Sequence, residues 1–69
     1  MKYKIYIYKK PGYHAITISE CILEELDIPE IDNEFNSIDM AMMAIQEHKQ
    51  HLIGFRLTIL PYIYMQYEQ

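Results

Sequence analysis

The sequence predicts an α+β fold, a small antiparallel sheet in the order β-β-α-β with one main helix lying on one face. Three observations lead there. Residues 2–9 alternate aromatic or β-branched with polar side chains at period two. Residues 37–54 carry helix start and stop signals around an apolar stripe. Residues 55–60 return to period two. A helix and short strands of this kind bury their apolar sides against each other as two layers.

The first strand reads Lys-Tyr-Lys-Ile-Tyr-Ile-Tyr-Lys, with Tyr3, Ile5 and Ile7 on one face and Lys4, Tyr6 and Tyr8 on the other. Pro11-Gly12 is turn chemistry, since proline presets φ and glycine supplies positive φ. Period two resumes over 13–19, which predicts a hairpin with Ile16 and Ile18 facing inward. Ser19 is a plausible cap for an extra short helix bearing Ile22, Leu23 and Leu26, ended by Asp27-Ile28-Pro29. Residues 27–36 form an acidic connection with a brief strand around Phe35.

Ser37 is the expected N-cap of the main helix, with Asp39 near the positive end of its dipole. Ile38, Ala41, Met42, Ile45 and Leu52 follow the spacing of a buried stripe, and Gly54 stands just past the end. In the last strand Phe55, Leu57 and Ile59 face one way. Pro61 marks an edge or bulge, and 62–67 offers a C-terminal continuation. The expected core is Ile5, Ile7, Ile16, Ile18, Ala41, Met42, Ile45, Leu57 and Ile59.

At 69 residues the chain is a single domain with a thin stability margin. Cys21 is the only cysteine, so no intrachain disulfide can supplement the core. No stretch reaches the ~18 apolar residues of a membrane span, and the N-terminus lacks a signal-peptide core. The expected location is cytoplasmic.

Net charge is −4, but its layout says more than its size. Between Pro11 and His48 there is no Lys or Arg, while nine of the ten carboxylates lie there. Seven of these, Glu20, Glu24, Glu25, Asp27, Glu30, Asp32 and Glu34, precede the main helix and are the candidate partner-binding residues. They suit a protein partner with a basic surface. Direct nucleic-acid binding is not expected from an acidic chain with six basic residues.

No catalytic apparatus is legible. Cys21 sits beside Glu20, which would raise rather than lower a thiol pKa. No glycine-rich phosphate cradle or nucleophile elbow is present. His48 and His51 could share a helix face, but two ligands do not make a metal site. The chain is therefore read as a non-enzyme without metal or cofactor.

All seven tyrosines lie in the terminal segments. One helix covers one sheet face, so tyrosines on the other are expected to form a homodimer interface, with Tyr6, Tyr8 and Tyr64 as contacts. Met40 and Met43 flank the helix stripe and, if exposed, would give an adaptable apolar surface.

Lys2-Tyr3 with Ile5 and Ile7, Gly12-Tyr13-His14-Ala15, and the helix from Ser37 through Ile45 resemble the sheet-and-helix domain of HicB-type antitoxins. The resemblance covers about two-thirds of the chain and departs from the family at its Pro-Gly-Cys-like segment and over 55–67. In size and acidity the chain is also similar to small anti-CRISPR inhibitors of phages and mobile elements. The combined expectation is an inhibitor whose acidic surface occupies a partner's nucleic-acid-binding surface. The alternatives are a HicB-like antitoxin neutralising a toxin, or a structural homodimer.

Overall fold

The computed structural model describes residues 1–9, 17 and 20–62. Within them the elements run β1 (Tyr3–Lys9), β2 (Ile22–Glu25), α1 (Ile38–Glu47), a single 3₁₀ turn (Lys49–Leu52) and β3 (Leu57–Pro61). The three strands form one antiparallel sheet in the order β2-β1-β3. This is the α+β arrangement, β-β-α-β, that the sequence predicts.

β1 takes the centre because it has partners on both sides. Tyr6 stands opposite Glu25 on one flank and Thr58 on the other. Tyr3, Ile5 and Ile7 pack on the core under the helix. Pro61 lies opposite Tyr3, on the outer strand of the described sheet. Tyr3 spends its own backbone groups on Phe35 instead. The N–H that Pro61 lacks is therefore one the ladder does not need.

The second described strand falls where the sequence predicts a short helix. Residues 20–26, expected as a short helix, supply β2, which pairs Lys9 with Ile22 through Tyr6 with Glu25. A single isolated turn of helix pays the nucleation cost without propagation to recover it, whereas the open edge of β1 offers a ready ladder. Of the expected strand 13–19 only Thr17 is described, at a bend where Glu20 N–H donates to Thr17 O at 3.1 Å. The remainder, with Ile16 and Ile18, lies outside the described residues. So does the continuation expected at 62–67, apart from Tyr62, whose N–H donates to Lys2 O at 2.7 Å.

α1 begins as its cap predicts, with Ser37 extended and its Oγ accepting from Met40 N–H at 3.2 Å. It stops at His48 rather than running to Leu52. The chain tightens into the 3₁₀ turn, and Gly54 reverses direction at φ 89°. The face turned to the sheet is Ala41, fully buried, with Ala44 and Ile45 half-buried. Ile38 and Met42, assigned to that face from spacing, are exposed. α1 is apolar nearly all round, so periodicity alone does not fix its orientation. Ala41, Ala44 and Ile45 are the α1 side chains in contact with the core, and the small size of the two alanines permits a close approach.

The core gathers Ile5, Leu26, Ile31, Phe35, Ala41 and Leu52. Ile7, Ile45, Leu57 and Ile59, all expected inside, are half-buried against it. A third of this core, Ile31 and Phe35, comes from the 27–36 segment that reads as an acidic connection, and Leu26 comes from the stretch expected as a short helix.

Candidate partner-binding surface

The acidic connection is a structured loop set into the edge of the sheet. Leu26 N–H donates to Ile5 O at 3.0 Å, continuing the β2 ladder by one residue. Extending that register would put residue 28 opposite Tyr3, yet Phe35 stands there, exchanging backbone bonds with Tyr3 at 2.8 and 2.9 Å. Seven extra residues are looped out in between.

Asn33 closes the gap. Its Oδ1 accepts from Ile5 N–H at 2.7 Å, and its Nδ2 donates to Ile5 O at 2.9 Å and Leu26 O at 3.1 Å. The side-chain amide thus stands in for a peptide group, leaving β1 bonded along this edge. Two tight turns shape the rest of the loop. Ile31 N–H donates to Ile28 O at 3.0 Å across Pro29-Glu30, and Glu34 N–H donates to Asp32 O at 2.8 Å. The inner side of the loop is Ile28, half-buried, and Ile31, buried, and its outer side is Asp27, Glu30, Asp32 and Glu34, all exposed.

The seven candidate carboxylates therefore do not form one surface. Glu24 and Glu25 are neighbours on a strand and point to opposite faces. Glu25 is engaged by Lys4, whose Nζ lies 2.7 Å from Glu25 Oε1. Glu20 accepts from Thr17 N–H at 3.0 Å. Glu24, opposite Ile7, is exposed on the strand, and Asp27, Glu30, Asp32 and Glu34 are exposed together on one loop.

The sheet face away from the helix carries Lys4, Tyr6 and Tyr8. Lys4 spans the sheet here, bonded to Glu25 on one side and with Nζ 4.4 Å from the centroid of the Tyr62 ring on the other. The hydrogen bond to Glu25 raises the Lys4 pKa above its ordinary 10.5, against a smaller opposing effect of burial. Burial, helped by the nearby Glu25 charge, raises Tyr6 above 10.0. Tyr6 is 1% exposed, so it offers no accessible surface for the dimer contact expected of it. Tyr8 is half-buried, and Tyr64 lies outside the described residues.

Cys21 is half-buried and its Sγ lies 3.4 Å from Thr17 O. The His48 and His51 rings are 6.2 Å apart between centroids. Among the described residues no three His, Cys, Asp or Glu side chains are grouped to hold a metal, and no helix is long and apolar enough to cross a membrane. The chain matches no protein-family model, curated protein or solved structure.

Proposed function

We propose that this domain is a non-catalytic protein-binding module, an inhibitor that docks the outer side of its 27–34 loop on a basic, nucleic-acid-binding surface of a partner protein. The observation that carries this is the Asn33 clamp, which ties a loop of four exposed carboxylates to the central strand. A loop already ordered loses less conformational entropy on docking than a mobile acidic tail would. Its charges steer encounter with a cationic groove and occupy the place of phosphates.

The test is affinity capture from the source cell with wild type and with the Glu30→Lys/Asp32→Lys/Glu34→Lys variant as baits. Wild type is expected to retain a nucleic-acid-handling protein at low salt and release it at high salt, and the variant to retain none. Capture of the same protein by both baits would remove the loop from the interaction.

A further inference from the structure

The sheet has two outer edges, and they are not alike. β2 is four residues long, ends on the exposed Glu24 and Glu25, and runs on into the acidic loop. Charge of this kind keeps a further strand from pairing at an edge. β3 carries no charge from Leu57 to Pro61. Among the described residues no strand lies beyond it.

The antiparallel ladder decides which groups β3 presents. Tyr8 N–H donates to Arg56 O at 2.9 Å and Tyr62 N–H to Lys2 O at 2.7 Å, so the even-numbered residues of 56–62 bond inward to β1. Alternation then turns the N–H and C=O of Leu57 and Ile59 outward. This run is closed at both ends. Pro61 has no N–H to give, and Phe55 N–H is already spent on Leu52 O at 3.2 Å.

A run so bounded is matched by the same strand turned about a two-fold axis at Thr58. Leu57 then stands opposite the second copy's Ile59, and Ile59 opposite its Leu57, so every outward group of these residues is bonded. Moving the axis to Ile59 would set Leu57 against Pro61 and leave the Leu57 C=O without a donor. On one face Leu57 and Ile59, half-buried against the core, meet their counterparts. On the other, Thr58 meets its own copy, a pair that stabilises antiparallel sheets. Like charges stay apart. Arg56 falls opposite Leu60, about 13 Å along the strand from its counterpart, where exposed charges are largely screened. Lys4, one strand inward, is held by Glu25 at 2.7 Å. We propose that the β3 edge is where a second copy of this chain adds its own β3, joining two three-stranded sheets into one. The 27–34 loops then lie at the two far ends of the joined sheet, so this inference and the loop reading stand or fall separately. The interface is small, and the dimer is weak, with a Kd on the order of 100 µM.

On a Cys21→Ser background, Thr58→Cys sets two thiols opposite each other at a non-hydrogen-bonded pair, where Cα atoms are about 4.5 Å apart and a disulfide can form. Oxidised glutathione should link this variant into dimers and leave Leu60→Cys, whose copies stand about 13 Å apart, largely unlinked. Sedimentation of the unsubstituted chain should show mostly monomer at about 10 µM and mostly dimer at about 1 mM. Over the same range amide exchange at Leu57 and Ile59 should slow about fourfold by mass action. The Thr58 amide, already bonded across to Tyr6, should not respond. A chain still monomeric at about 1 mM would overturn the proposal and leave the edge to a foreign strand. A dimer in which the Leu57 and Ile59 amides exchange equally fast at both concentrations would overturn it as well, since another face would then hold the second copy. So would linking through Leu60→Cys as readily as through Thr58→Cys.

Discussion

The Asn33 side chain meets both backbone polar groups of Ile5, accepting from its N–H at 2.7 Å and donating to its C=O at 2.9 Å. Ile5 is fully buried at the centre of the sheet, so water is a poor substitute for either bond. One side chain thereby joins the acidic loop to the core.

Asn33→Leu should leave Ile5 N–H without its partner and cost about 1–3 kcal/mol. Asn33→Asp keeps the acceptor but faces a carboxylate towards the carbonyls of Ile5 and Leu26, and should cost at least as much. Urea midpoints measure both, and faster hydrogen exchange at the Ile5 amide should accompany them. Unchanged midpoints would mean that the loop is held by Ile31 and Phe35 alone.

Core position should outweigh side-chain size. Phe35→Ala removes a buried ring and should cost about 3–5 kcal/mol. Met43→Gln, at an exposed site, should stay within about 0.5 kcal/mol. A thermal melt ranking Met43 above Phe35 would invert the assignment of the α1 faces.

What the sequence shows and what it hides divide along local and non-local lines. β1 and the Ser37 cap are decided by neighbours in sequence and read directly. β2 is not, because Ile22, Leu23 and Leu26 suit a helical face as well as a strand, and the ladder to Tyr6–Lys9 decides it from a distance. The seven carboxylates are legible as a charge block, but their division rests on strand alternation at Glu24 and Glu25 and on the loop register. Asn33 carries no signal at all, since an asparagine in an acidic stretch reads as a turn residue. Tyr6 escaped because period two gives its face and not what that face meets.

Alkaline pH should destabilise the fold. Lys4 and Tyr6 both have raised pKa values in the folded state. Each therefore contributes stability that is fully present below its ordinary value and is lost as pH rises through the folded value. Urea midpoints should be insensitive to these two groups between about pH 7 and 9 and fall above about pH 10. Tyr6→Phe should shallow the fall by removing one of the two groups. An equally steep fall in that variant would exclude Tyr6 as a contributor.

The loop carboxylates should act on encounter rather than on folding. Reversing Glu30, Asp32 and Glu34 to Lys changes exposed charges, which contribute little to fold stability. Once a partner has been captured, its association rate with wild type and with the triple variant, followed across a salt series, tests the central claim most directly. Circular dichroism serves as the folding control. Wild type should associate at least about tenfold faster at low salt. The advantage should fade as ionic strength rises past about 0.1 M, where screening acts within about 10 Å. Equal rates and equal salt slopes for two equally folded proteins would contradict it.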